Sequence, residues 1–241
     1  MSAENTGTVT VEVEDGIAVV TLQREAKRNA LSTRMESLLL DVLSSDAVLG
    51  SRALVVTGGD QVFSAGADVT ELREMTPEAI ADYYRTTGSV YEHLAQLRIP
   101  TVAAIAGYCL GGGLELALAA DFRVADSSAQ FGFPEIGIGI LPSSGGVTRL
   151  VRDVGPARAR DLVLRGRRFT PELAEQWGLI TEIAPPGEHL ARARAIATEV
   201  AAAPALAVEL TTQVIDAAAE SSHRTALLLE QLAYSTLNRT H

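Results

Sequence analysis

Apolar and polar positions alternate over Thr8-Val-Thr-Val-Glu-Val-Glu14, break at Asp15-Gly16, and give way to the β-branched run Ile17-Ala-Val-Val-Thr-Leu22. A period of two on the first side of Asp-Gly and β-branched residues on the second predict a hairpin. Ala53-Leu-Val-Val-Thr57, Thr101-Val-Ala-Ala-Ile-Ala106, Phe122-Arg-Val-Ala125 and Leu179-Ile-Thr-Glu-Ile183 are short apolar runs expected as strands. Helical spacing starts after Ser32, an expected cap with Glu36 in the following turn and Leu38, Leu39, Val42 and Leu43 beyond it. Leu72-Arg-Glu-Met75 is expected as a helical turn. Pro77 opens a long helix expected to run to about Leu97, with Ile80, Tyr84, Tyr91 and Leu94 among its apolar positions. Residues 145–151 and 157–164 are expected as helices on either side of Gly155-Pro156, and 171–177 as a short helix ended by Gly178. After Pro185-Pro186-Gly187 the chain is Ala- and Leu-rich with no strand signal. The order is strands mixed with helices and then a helical tail, an α/β chain without internal repeats. Residues 1–187 are expected as the core and 188–241 as a helical C-terminal region.

With 241 residues, 47% hydrophobic and 21% charged, the composition is that of a soluble globular protein with one sizeable core. Few aromatics leave Val, Leu, Ile and Ala to fill that core. The formal charge of −10 argues against a general nucleic-acid binder, because phosphate binding needs a positive surface. A single cysteine, Cys109, permits no intramolecular disulfide, and the first residues lack a basic-then-apolar leader pattern, so a cytoplasmic setting is expected. The apolar stretch from Val102 to Ala120 holds three adjacent glycines and Glu115, which speaks against a membrane span. Asn238-Arg-Thr240 matches a glycosylation sequon, expected to be accidental. His93, His189, His223 and His241 are scattered and suggest no metal site.

Candidate chemistry concentrates between residues 107 and 135. Strand 101–106 feeds Gly107-Tyr-Cys-Leu-Gly-Gly-Gly113, and the glycines open Leu114-Glu-Leu-Ala-Leu-Ala-Ala120, which is apolar on every face except at Glu115. A glycine turn entering a helix presents free N–H groups at the positive end of the helix dipole. Such a place stabilises negative charge, including charge that exists only in a transition state. Glu135 follows Pro134 between Phe131-Gly-Phe133 and Ile136-Gly-Ile-Gly-Ile-Leu141, an apolar neighbourhood. Two isolated glutamates near an anion hole are a candidate acid/base pair. Each also has a plainer reading as a first-turn helix acid. Asp68 reads as a turn or cap residue, Cys109 as core, and Arg165, Arg167 and Arg168 as surface residues. Serine-hydrolase, P-loop and dinucleotide motifs are absent from the sequence.

Phe63-Ser-Ala-Gly-Ala-Asp68, Gly107-Tyr-Cys-Leu-Gly-Gly-Gly-Leu-Glu115, Phe133-Pro-Glu-Ile-Gly-Ile-Gly-Ile-Leu-Pro142 and Gly145-Gly146, in that order, resemble the crotonase superfamily of enoyl-CoA hydratases and isomerases. Arg24-Glu-Ala-Lys-Arg-Asn-Ala-Leu31 and Gly166-Arg-Arg-Phe-Thr-Pro-Glu-Leu-Ala-Glu-Gln-Trp-Gly178 resemble two further segments, so the likeness covers about residues 10 to 185. The resemblance implies a superhelix of ββα units, two steeply angled sheets wrapped by helices, with C-terminal helices that assemble trimers or pairs of trimers. It implies an acyl-CoA thioester as substrate, with no separate cofactor. It places an oxyanion hole at the backbone N–H groups of Ala67 and Gly112, and the catalytic carboxylates at Glu115, for water, and Glu135, for the α-proton. It places Lys27 and Arg28 on the loop that wraps the CoA adenine and phosphates, and Ala30, Ala65, Gly66, Asp68, Gly111, Phe133 and Pro134 along the acyl-CoA site. The acyl pocket is expected between the 72–84 region, Phe133 and the 136–141 run. Family members usually carry a further C-terminal helix with basic residues and an aromatic that touches CoA; the sequence given ends at Asn238-Arg-Thr-His241. Hydration of trans-2-enoyl-CoA is the leading expectation, with fatty-acid β-oxidation as the default setting. Δ3-Δ2 enoyl-CoA isomerisation, other superfamily acyl-CoA chemistry and non-catalytic acyl-CoA binding are the alternatives.

Overall fold

The Asp15-Gly16 turn takes the conformation that its composition favours. Both residues have positive φ, 52° and 77°, the pairing that suits the right-handed twist of a two-residue hairpin. The structure, a computed structural model, describes residues 6–239; residues 1–5 and 240–241, with the last residue of the sequon and His241, lie outside them. Among the described residues nine strands follow one another as β1 (Thr8–Glu14), β2 (Ile17–Gln23), β3 (Ala53–Thr57), β4 (Thr101–Ile105), β5 (Tyr108–Leu110), β6 (Phe122–Asp126), β7 (Gln130–Gly132), β8 (Arg168–Phe169) and β9 (Glu182–Ala184). The helices are α1 (Thr33–Leu43), α2 (Asp46–Leu49), α3 (Val69–Leu72), α4 (Pro77–Arg85), α5 (Val90–Ala95), α6 (Gly112–Leu118), α7 (Gly146–Arg165), α8 (Pro171–Gln176), α9 (His189–Ala201), α10 (Ala205–Glu220) and α11 (His223–Leu237).

Six strands form one sheet in the order β1-β2-β3-β4-β6-β9, antiparallel at β1–β2 and parallel beyond. Its inner strands are buried on both faces, which is why they read as continuous apolar runs. Ala18, Val20, Leu22, Leu54, Val56, Ala103 and Ile105 face the larger core with Met35, Leu39 and Leu43 of α1. Ile17, Val19, Val55, Val102, Ala104 and Val124 face the other way onto Ala193, Ile196 and Ala197 of α9. A second sheet, β5-β7-β8, was not visible in the pattern. Its strands have three residues or two, too few to show a period. It carries Cys109 and Phe131 into the core, where Phe131 stacks on Phe169 at 5.5 Å.

Three expected elements are corrected. The turn expected at 72–75 lies earlier, at α3, because the Asp68 carboxylate accepts from the Thr70 N–H at 3.2 Å and starts the helix there. The long helix from Pro77 is broken at Thr86, whose φ of −119° and ψ of −108° are not helical. A 3-10 turn over Thr87–Ser89 follows, and α5 resumes at Val90. The hydroxyls of Thr86 and Ser89 donate back to the carbonyls of Asp82 and Thr86, at 2.9 and 2.5 Å. Gly88 packs so closely on the Tyr83 ring that a β-carbon there would lie 2.7 Å from Cε1. The strand expected at 179–183 begins only at Glu182, after Leu179 and Ile180 have buried themselves in the turn following α8. The two helices expected around Gly155-Pro156 are present as the two arms of α7, kinked at Gly155.

The C-terminal helices divide by burial. Whereas α9 packs on the sheet, α10 has no buried residue and α11 has only Ala226. Ile215, Leu228, Leu232 and Tyr234 are exposed on them. No single helix among the described residues is long and apolar enough to cross a membrane.

Candidate active site

Two loops are laced together beyond the ends of β3 and β4. Phe63 N–H donates to Ala106 O, Ser64 N–H to Tyr108 O, and Leu110 N–H to Ser64 O, at 2.8, 2.8 and 3.0 Å. The approach is close enough that only glycine fits at two positions. Gly66 has φ +97°, and a β-carbon there would lie 2.8 Å from Leu110 O and 3.2 Å from Gly112 N. Gly111 has φ 52° and ψ −127°, and its β-carbon would lie 2.7 Å from Glu135 Oε1. A β-carbon on Gly112 would come within 3.3 Å of Ala67 N.

The nitrogens of Ala67 and Gly112 are therefore neighbours. Residues beside them are tied down: Leu31 N–H donates to Gly66 O, Asp68 N–H to Leu31 O, and Gly111 N–H to Gly132 O. The N–H groups of Ala67 and Gly112 themselves donate to no acceptor among the described residues. Gly112 is the first residue of α6, so its N–H belongs to the open, positive end of a helix.

One turn into α6, Glu115 is 4% exposed in a helix whose every residue is buried. Its Oε1 accepts from the N–H groups of Ser144 and Gly146, at 2.7 and 2.9 Å, where the chain enters α7. Burial pushes the Glu115 carboxyl above its ordinary value, and these two N–H groups pull against that push. Glu135 opens a 3-10 turn, Glu135–Ile138. Burial, opposed by its own backbone N–H and reinforced by the Glu115 charge, raises its carboxyl to about 7. Its Oε2 is buried without a hydrogen-bond partner.

Ala67, Gly112, Glu115, Glu135, Gly66 and Gly111 are thus brought to one place. Phe133 is buried and Pro134 exposed. The run after Glu135 needs correction: Ile136, Ile138, Ile140 and Leu141 are 44%, 47%, 44% and 62% exposed rather than packed around the acid. Lys27 and Arg28 are exposed on the loop after β2, which Ala65 N–H joins by donating to Arg28 O at 2.9 Å. The Arg28 guanidinium lies 5.5 Å from the centre of the Tyr108 ring. Arg168, expected as plain surface, lies over the same ring at 4.8 Å and adds positive charge to that edge. Asp68 pairs with Arg24 at 2.9 Å while capping α3, and Ala30 O accepts from the same Arg24 nitrogen at 3.0 Å. Burial would raise the Asp68 carboxyl, yet Arg24 holds it below the usual range, so it stays ionised and structural. A cavity of about 740 Å³ lies between α6, α7 and α10 and is lined by none of these predicted residues.

Sequence reasoning missed another buried acid beside the site. Glu36 accepts from the Tyr91 and Tyr83 hydroxyls, both on Oε1, at 2.7 and 2.8 Å. Burial raises its carboxyl to about 7 against the pull of the two phenols, with Glu71 and Glu115 adding to the rise. The Tyr91 oxygen lies 3.1 Å from where a Gly112 β-carbon would stand, which puts this cluster beside the free amides. One signal was available: Glu36 shares a helix face with Leu39, Leu40 and Leu43.

The family profile for enoyl-CoA hydratase/isomerase matches residues 12–241. A Mycobacterium tuberculosis protein named "Probable enoyl-CoA hydratase" is 38% identical over 229 residues, covering 93% of this chain and 87% of the relative. An enoyl-CoA hydratase from Bacillus anthracis superposes with a TM-score of 0.88 at 32% identity, covering 95% of this chain and 90% of that one. A Thermobifida fusca structure in complex with CoA gives a TM-score of 0.89 at 25% identity, covering 100% and 97%.

Proposed function

The chain belongs to the enoyl-CoA hydratase/isomerase family, and on that premise we propose that this enzyme adds water across trans-2-enoyl-CoA to give 3-hydroxyacyl-CoA. The observation that carries the reading is the pair of unused amides, Ala67 and Gly112, beside two carboxyls in different environments. The CoA-bound Thermobifida relative supports an acyl-CoA ligand.

The thioester oxygen accepts from the two amides. Glu115, its Oε1 fixed by two N–H groups, presents its other oxygen to a water and takes that water's proton. The water oxygen bonds to the β-carbon, and the π electrons move onto the thioester oxygen. One preorganised donor on such an oxygen is commonly worth roughly 3–4 kcal/mol. Glu135 enters in its protonated form and gives that proton to the α-carbon as the carbonyl re-forms. Proton exchange with solvent then resets both acids. Their environments support this division, since the first is cradled by donors and the second has an oxygen with none.

Exposed apolar side chains on α10 and α11 support assembly into trimers or pairs of trimers. The test of the reaction is the ultraviolet absorbance of the conjugated enoyl thioester, followed across chain lengths. Loss of absorbance is expected. Stable absorbance at every length overturns hydration, and a rise on adding 3-enoyl-CoA instead establishes isomerisation.

A further inference from the structure

The two amides that grip Glu115 do not belong to adjacent peptides. The Ser144 N–H lies in the peptide before Ser144 and the Gly146 N–H in the peptide after Gly145, yet both meet on Oε1, at 2.7 and 2.9 Å. Between them stands the Ser144–Gly145 peptide. Peptide units are planar, so the orientation of this middle one sets the angle between the two donors. Gly145 turns the chain there in the left-handed region, at φ +94°.

One side chain holds that middle peptide. Arg149, in the first turn of α7, donates from Nη1 to Ser144 O at 3.0 Å and from Nη2 to the Glu92 carboxylate on α5 at 2.7 Å. Its backbone N–H donates to Gly145 O at 2.9 Å, so the peptide that carries the Gly146 N–H is held by the same residue. The fit is close: a β-carbon on Gly145 would lie 2.1 Å from Arg149 Nη1. The Arg149 side chain is 14% exposed and Glu92 63%, so the guanidinium reaches inward from a surface anchor. A planar guanidinium bonds a carbonyl and a carboxylate in one fixed geometry, and an ammonium carries no such fork.

Charge acts in the same direction. Burial raises the Glu115 carboxyl, and after the Gly146 and Ser144 amides the Arg149 charge is the next influence to oppose that rise. Glu36 on α1, Tyr91 on α5 and Glu135 in its turn also feel the Glu115 charge, but they are acids and give no such help.

We propose that Arg149 is a positioning residue for the hydration base: its guanidinium clamps the Ser144–Gly145 peptide, so that the amides on either side converge on Glu115 and leave its second oxygen for the water. The proposal deepens the hydration reading above and rests on it for the role of Glu115. Arg149 acts through the loop and touches no reacting atom.

The experiment compares the full chain as wild type, Arg149→Met and Arg149→Lys. Two quantities are followed across pH. One is the titration midpoint of the Glu115 carboxyl, from carbon-13 NMR of glutamate-labelled protein, with Glu115→Gln to assign the signal. The other is kcat/KM for hydration of a short 2-enoyl-CoA. Arg149→Met is expected to move the Glu115 midpoint up by about one pH unit and the acid limb of kcat/KM with it, while the alkaline limb set by Glu135 stays in place. Arg149→Lys keeps the charge without the fork and is expected to shift both by a smaller amount. An unmoved Glu115 midpoint in a cooperatively folding Arg149→Met, with only stability lost, marks a plain tie between α5 and α7 and overturns the proposal. So does a wild-type midpoint in Arg149→Lys, which shows that charge suffices without the fork; this variant decides the matter if Arg149→Met does not fold. If no enoyl thioester is hydrated, the hydratase reading falls, and the NMR midpoint still decides whether Arg149 governs Glu115.

Discussion

Helix α6 and the turn Glu135–Ile138 each bring one acid to the same place, and they do it by opposite means. In α6 every residue is buried, and Glu115 is gripped by two backbone N–H groups. In the turn no residue is fully buried, four large apolar side chains up to Leu141 face outward, and Glu135 keeps an oxygen without a partner. Burial raises both carboxyls, and the difference lies in what opposes the rise: two fixed N–H donors from the start of α7 at Glu115, and only its own backbone N–H at Glu135. Fixed donors favour a carboxylate, whereas burial without donors favours the protonated acid. The first acid is set by the core. The second is set by a segment whose own residues are half-buried or exposed.

The strongest way to sharpen this comparison is to remove each charge. Glu115→Gln is expected to lower kcat for hydration by about 10³–10⁴-fold, and Glu135→Gln by a smaller factor, on the order of 10²–10³. Stopped-flow or steady-state absorbance assays measure both. A Glu115→Gln enzyme within tenfold of wild type removes that residue from the chemistry. The next contrast is in stability. Leu114→Ala in the fully buried α6 is expected to cost about 2–5 kcal/mol in chemical denaturation, because it opens a cavity in a packed core.

A third test is pH. Burial raises the Glu135 carboxyl to about 7 in the free enzyme, so a rise in pH through that value removes the proton it donates, and kcat/KM falls by up to about tenfold per unit. The stability sign follows from the same shift. Glu36 and Glu135 have carboxyls at about 7 in the folded chain against 4.5 ordinarily. Between those values the folded state holds more protons than the unfolded one, so stability is highest at the acid end and is lost as pH rises toward 7. Glu36→Gln is expected to flatten this slope, and denaturation curves across the window read it directly.

What was legible in the sequence follows the same divide. The hairpin was readable because Asp15-Gly16 is a local signal, and α6 because glycines and an apolar run are contiguous. The likeness in motifs groups Ala67, Gly112, Glu115 and Glu135 from the sequence alone. Hydrophobicity around Glu135 was misleading: a composition of Ile and Leu says nothing about whether those side chains are covered. Glu36 was read as an ordinary first-turn acid because its partners are 47 and 55 residues away. Gly88 was the only local hint that the helix from Pro77 breaks, and an isolated glycine in a helical pattern is weak evidence.

The smallest expected effect tests the outward-facing half of the comparison. Ile140→Ser removes an aliphatic side chain that is 44% exposed, in the chain that follows the Glu135 turn. Were Ile140 part of the core, losing it would open a cavity and cost several kcal/mol. Exposed as it is, the change is expected to stay within about 0.5 kcal/mol in the same denaturation assay. Its effect should surface in function instead. The Ile140 N–H donates to Glu135 O at 3.2 Å, so the substituted residue keeps the backbone tie while altering what lies outside it. A change in KM for longer enoyl-CoA chains with kcat for the shortest chain preserved places the run on the substrate side. A stability loss comparable to that of Leu114→Ala would mean that Ile140 is buried like the residues of α6, and the contrast between the two acid-bearing segments would fail.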